Sequence, residues 1–136
     1  MKKLNVIIVY NKEEDKILMC KREKEPYKGK FNLVGGKVEQ DEDELHAAYR
    51  ELREETGITN KDITLTHIMN FQYKMQDMEL EVYAGKSNKS VDLIEELNKL
   101  YWIDKNENFF DLEKYAGEGN IGHMVQQVEI YKDKIF

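Results

Sequence analysis

The first third of the chain alternates between apolar stretches and short polar breaks. Leu4 to Tyr10 is rich in Val and Ile and reads as a strand. Asn11 to Asp15 is a polar turn. Lys16 to Arg22 reads as a second strand, with Ile17, Met19 and Lys21 alternating against Leu18, Cys20 and Arg22. A polar loop from Glu23 to Lys30 carries Gly29 and the only proline, Pro26. Phe31 to Val34 is a short apolar strand that leads into Gly35-Gly36.

The period then changes. Leu45, Ala48, Tyr49 and Leu52 recur at helical spacing, which predicts a helix from about residue 42 to about 56 with these four side chains toward a core. Asp41 is the expected N-cap, with Glu44 three residues on completing a capping box. Gly57 suits the left-handed position after the last turn. Ile63 to Tyr73 and Met78 to Lys86 read as antiparallel strands around a turn near Gln76-Asp77, and Leu100 to Ile103 as a further short strand. Val91 to Asn98 fits either a helical turn or two or a loop. Ile121, Met124, Val125, Val128 and Tyr131 mark a C-terminal helix within Gly119 to Lys132. Strands on both sides of a central helix, with a second helix at the end, predict a layered, mixed α/β (α+β) domain.

A length of 136 residues fits one domain, 1–136. The net charge of −6 argues against non-specific nucleic-acid binding, which needs a basic surface. No apolar run has membrane length, and no secretory signal is visible, so neither a membrane nor a nucleic acid is expected as partner. The single Cys20 excludes an internal disulfide, suits a cytoplasmic location and reads as a packing residue. His46, His67 and His123 are scattered, which gives a histidine metal site little support.

The chemistry concentrates in the predicted helix. Glu51, Glu54 and Glu55 fall at i, i+3 and i+4, a spacing at which like charges repel. A hard divalent cation relieves that repulsion, and Mg²⁺ binds through a few carboxylates, waters and substrate phosphates. The alternative for such a trio is a solvated acidic face. Its surroundings decide between the two: Gly36, five residues, Glu42, seven residues, Arg50-Glu51-Leu52, then Glu54-Glu55 and Gly57-Ile58. At average residue usage, seven fixed letters coincide in roughly one in a hundred million windows.

This stretch, residues 36–58, resembles the signature box of the Nudix (MutT-like) hydrolase family. The resemblance implies a Nudix fold, a mixed sheet sandwiched between helices. It also implies Mg²⁺-dependent hydrolysis of a nucleoside diphosphate linked to another group, with Mn²⁺ as an alternative ion. It makes Glu51, Glu54 and Glu55 metal ligands, with Glu42 supporting the metal shell and Gly36 and Gly35 letting the backbone approach the ligand. Arg50 would hold a carboxylate in place. The base varies within the family, and the candidates here are Glu54, a glutamate before the last strand (Glu95 or Glu96) and Glu118. Arg22 would face the phosphates, with a solvated strand-end arginine as the alternative. Lys37 reads equally as a phosphate contact or a turn lysine. Asn32 follows Phe31 where triphosphate-sanitising members carry a Trp-Asn pair, so it would read the base or else bond its own backbone. Phe31 and Phe71 read as core residues, with stacking on a base as the alternative, and Trp102 is expected in the core.

The expected substrate is a nucleoside triphosphate, oxidised purines included, yielding a monophosphate and pyrophosphate. ADP-ribose or a nucleotide sugar is the alternative, disfavoured because ADP-ribose-cleaving relatives usually carry a Pro where this chain has Tyr73. A non-catalytic nucleotide-binding module is a third reading, against which the full acid set argues. Homodimers are common in the family, so a second copy is a further expected partner.

Overall fold

The computed structural model describes residues 1–136. Strand β1 (Lys2–Tyr10) and strand β2 (Lys16–Lys21) form an antiparallel pair meeting at Tyr10 and Ile17. Both β3 (Phe31–Leu33) and β6 (Leu100–Asp104) pair antiparallel with β2. Between them in sequence, β4 (Thr66–Tyr73) pairs antiparallel with β5 (Met78–Lys86), with an irregularity between His67 and Met69. Strand β5 runs parallel to β1 along its whole length, from Lys2 opposite Met78 to Tyr10 opposite Lys86. The result is one six-stranded mixed sheet, ordered β3-β2-β1-β5-β4, with β6 on β2.

Two helices, α1 (Glu44–Thr56) and α2 (Asn120–Ile135), cover the sheet. The alternation of strand side chains creates two cores. Ile7 and Val9 of β1 and Leu18 and Cys20 of β2 pack with Ala48 and Leu52 of α1. Ile8, Tyr10, Ile17 and Met19 pack on the other face with Ile121, Met124, Val125 and Val128 of α2. Burial on both faces is why these strands read as continuous apolar runs.

The boundaries shift in instructive places. The N-cap of α1 is Asp43, whose carboxylate accepts the His46 N–H at 3.1 Å, and not Asp41, which sits in the left-handed region at φ 64°. The helix therefore begins at Glu44, because Glu42 is drawn into other bonds: its carboxylate accepts the Glu39 N–H and the Arg50 guanidinium. Gly57 ends the helix in the expected left-handed conformation at φ 82°. The apolar stripe runs through Ala47, Ala48, Leu52 and Thr56. Leu45 was expected in the core and is 42% exposed, which places the first turn at the margin of the sheet. Ile63 and Leu65 are buried yet precede β4, and Arg22 and Val34 fall just outside β2 and β3. The Val91–Asn98 stretch forms no helix. Trp102 and Phe71 are partly buried against the α1-side and α2-side cores respectively.

Candidate active site

The Gly35-Gly36 turn lies between β3 and α1, directly against β1. Gly35 has φ 147°, and a Cβ there would overlap the Asn5 carbonyl oxygen, so only glycine fits. Its N–H donates to Glu55 Oε2 at 3.2 Å. At Gly36 an added Cβ would overlap the Glu51 carboxylate. The backbone of β1 thus bars a side chain at Gly35, and a side chain at Gly36 would displace the Glu51 carboxylate.

Arg50 organises the acids. Its Nε and Nη2 grip both oxygens of Glu42, at 2.7 and 2.9 Å. Its Nη1 donates to Glu51 Oε1 and to Glu54 Oε2, each at 3.0 Å, and Nη2 also donates to the Lys37 carbonyl at 3.0 Å. All five guanidinium N–H donors are thereby used. Arg50 holds Glu42 well down, to a pKa of about 2, through these charge-assisted bonds.

Glu51, Glu54 and Glu55 line a cleft of about 240 Å³ together with Cys20, Glu96, Leu97, Asn98 and Leu100. Burial pushes Glu55 up to about 7, with Glu51 and Glu96 adding to the rise and the Gly35 N–H and Arg22 opposing it. Glu51 is raised as well, again chiefly by burial. The carboxylates also sit in the C-terminal half of α1, where the helix dipole disfavours negative charge. Partly desolvated acids with one arginine among them form the oxygen-rich donor set that a hard divalent cation takes. The residues present fit Mg²⁺.

The structure brings some expected residues together and separates others. Glu96 reaches the cleft wall. Glu95 does not serve there; its Oε2 accepts the Leu100 N–H at 2.8 Å and fixes the start of β6. Glu118 also stands apart: it occupies a left-handed position at φ 52° beside α2 and accepts the Tyr27 hydroxyl at 2.7 Å. Loop connectivity put it beyond reach of a spacing argument. Arg22 lies near enough to lower Glu55, although its Nε also donates to the Pro26 carbonyl at 3.3 Å. The Lys37 side chain is exposed and makes no ion pair. Asn32 alternates with Phe31 and Leu33, which pack toward α2, and so lies on the cleft side opposite its register partner Cys20. Its Oδ1 accepts the Leu33 N–H at 2.8 Å, the local backbone bond considered from sequence.

Two features escaped the sequence. Asn5, buried on β1, contacts the glycine turn. A second acidic group, Glu44, Glu79 and Glu81, brings its oxygens within 4.8 Å of one another, closer than the box carboxylates are gathered. Its neighbours include one lysine and one histidine: Lys3 pairs with Glu44 and lies 3.8 Å from Glu79, and the His67 ring contacts Glu81. Only register placed these acids together, since β5 and α1 are far apart in sequence.

Comparison with known proteins agrees with this architecture. An "ADP-ribose pyrophosphatase" from Methanocaldococcus jannaschii is 32% identical over 100 residues, which is 65% of this chain and 59% of that relative's length. Among solved structures, a C. elegans Ap4A hydrolase binary complex superposes with a TM-score of 0.78 at 20% identity, covering 99% of this chain and 100% of that one. The NUDIX domain of Shewanella oneidensis NrtR, complexed with ADP ribose, gives 0.73 at 13% identity over 96% of this chain and 87% of that one. No helix is long and apolar enough to cross a membrane. The family description "NUDIX domain" matches residues 1–122, which span both glycines, the whole of α1 and the six strands, and the chain belongs to that family.

Proposed function

We propose that this protein is a divalent-metal-dependent hydrolase that cleaves the diphosphate linkage of a nucleoside diphosphate derivative. The observation that carries the reading is the cleft itself: it is lined by Glu51, Glu54, Glu55 and Glu96, with Arg50 bonded to Glu51 and Glu54. Glu51, Glu54 and Glu55 would hold Mg²⁺, with Glu42 behind them. The bound ion would supply charge neutralisation at the phosphate oxygens. Glu54 and Glu96 are the groups placed to accept a proton from the attacking water. Glu54 is 45% exposed and bonded to Arg50, whereas Glu96 lines the opposite side from the loop before β6. Arg22, at the end of β2, would meet the phosphates and stabilise their developing charge.

The cleft is smaller than the roughly 300 Å³ at which pockets begin to enclose a whole organic ligand. A space of this size suits the diphosphate part of a substrate. ADP-ribose is the first substrate to test, because the 32%-identical relative carries that activity in its name, against the weight of Tyr73 in place of a proline. A nucleoside triphosphate is the second reading. It is favoured by Asn32 beside Cys20: with Oδ1 engaged by Leu33, the amide NH₂ end is left to donate to a purine acceptor.

The test is a panel of ADP-ribose, diadenosine polyphosphates and common and oxidised triphosphates with Mg²⁺, products separated by chromatography. AMP and ribose 5-phosphate from ADP-ribose support the first reading. Monophosphate and pyrophosphate from a triphosphate support the second. Binding without turnover of any member would leave a nucleotide-binding module and defeat both.

A further inference from the structure

Asn5 lies on β1, outside the box, and is 2% exposed. Alternation places its side chain on the α1 side, with Ile7 and Val9. It grips Gly36 at two points. The Asn5 backbone N–H donates to the Gly36 carbonyl at 2.8 Å, and the Gly36 N–H donates to Asn5 Oδ1 at 2.9 Å. The Asn5 carbonyl lies so close beneath Gly35 that a Cβ there would overlap it. One buried strand residue thus meets both glycines of the turn.

The other end of the side chain makes the placement informative. Asn5 Nδ2 is buried and has no hydrogen-bond partner, and no other buried side-chain polar atom of the protein is left so. A buried unmet donor destabilises, and an apolar side chain, such as those of Ile7 and Val9 further along the strand, would avoid it. What the amide supplies in return is the acceptor for Gly36. Gly36 in turn packs against the Glu51 carboxylate, which Arg50 holds from its other side at 3.0 Å. The Gly36 carbonyl keeps its second lone pair, since Asn5 takes only one.

We propose that Asn5 is the positioning residue of the active site: it fixes Gly36, and Gly36 fixes Glu51. The proposal rests on the hydrolase reading above for its kinetic consequence but not for its geometric one. Loss of the Oδ1 acceptor frees the turn, and Glu51 loses the wall that defines its rotamer. Misplacement of a metal-holding carboxylate lowers turnover more than substrate affinity.

The test compares Asn5→Leu, which keeps volume but removes the acceptor, with Asn5→Asp, which keeps an oxygen at that position. Three readouts are followed: hydrogen exchange at the Gly36 amide, Mn²⁺ affinity of the free protein, and kcat with KM on the best substrate of the panel. Asn5→Leu should speed Gly36 exchange by about tenfold or more and weaken Mn²⁺ binding, while kcat falls by about tenfold with KM within about threefold. Its melting temperature should change little, because the unmet Nδ2 donor is removed while the Gly36 N–H loses its acceptor. Asn5→Asp should restore most of the lost kcat. Unchanged Gly36 exchange and unchanged kcat in Asn5→Leu would overturn the proposal, as would a lower melting temperature with intact turnover. Should Asn5→Leu not fold, Asn5→Ala carries the same expectations for exchange, Mn²⁺ affinity and kcat. A wild-type protein that binds no Mn²⁺ and cleaves nothing defeats the hydrolase reading, while Gly36 exchange still decides the clamp.

Discussion

Helix α1 serves two acidic clusters, one near each end, and they are built on opposite plans. Near its start, Glu44 joins Glu79 and Glu81 of β5, and Lys3 and His67 stand among them. Toward its end, Glu51, Glu54 and Glu55 meet Glu96; Arg50 is bonded to Glu51 and Glu54, and the Gly35 N–H to Glu55. The first cluster has a lysine shared between two of its acids and a histidine bonded to the third. The second lines a cleft, and burial raises Glu51 and Glu55 there, as it raises Glu81 in the first. Proximity of carboxylates alone therefore does not separate the two clusters: the tighter one is already crossed by side-chain ion pairs, and the looser one lines a cleft. The mark is the cleft, open to a small ligand.

The comparison breaks first at Glu54. Glu54→Gln keeps size and removes charge, and should lower kcat by about 10² or more, measured on the substrate the panel identifies. Activity within about threefold of wild type would show that the cleft cluster is not the catalytic one. Gly36→Ala comes next, because its methyl group would occupy the space of the Glu51 carboxylate. A displacement of order 1 Å there should cost up to about 10²-fold in kcat with the fold kept, which circular dichroism would check.

Glu44→Gln sharpens the contrast from the other side. It touches the first cluster, half in solvent, so stability should change by no more than about 1 kcal/mol in denaturant unfolding. Mn²⁺ affinity should stay at the wild-type value in this variant and collapse in Glu54→Gln. The reverse pattern would move the metal to the Glu44 cluster. The smallest effect is expected at Cys20, which lines the cleft without a charge. Burial, with Glu55 nearby, pushes its thiol up to about 11. Alkylation at pH 8 should be slow in the native protein and fast once unfolded, since the thiolate is the nucleophile. Cys20→Ala should retain activity within about threefold.

The strands and α1 were legible for different reasons: Ile7, Ile8, Val9 and Tyr10 form a short continuous apolar run because both faces are buried, and Ala48 and Leu52 recur at the helical period. The box was legible because its residues lie within one turn-and-helix unit, so spacing in sequence is spacing in space. The helix start was misread by two residues, since two acids, Asp41 and Asp43, offered similar caps and the Arg50–Glu42 pairing decided between them. Leu45 was misplaced because period says which stripe a residue occupies and nothing about where the sheet beneath it ends.

What the sequence by itself determined was local: the period of each element, the glycine turn, and an acidic helix face that demands compensation. What only the tertiary structure decided was which distant groups supply that compensation. Register between β1 and β5 set Lys3 beside Glu79 in one cluster. The path of the loop before β6 brought Glu96 to the other cluster and turned Glu95 away, and left Glu118 with Tyr27. Asn5 reads in sequence as one polar residue in an apolar strand. Its bond to Gly36, 31 residues on, exists only once the sheet has formed. Electrostatic balance and backbone anchoring are sums over neighbours in space, and chain order lists neighbours only within one element.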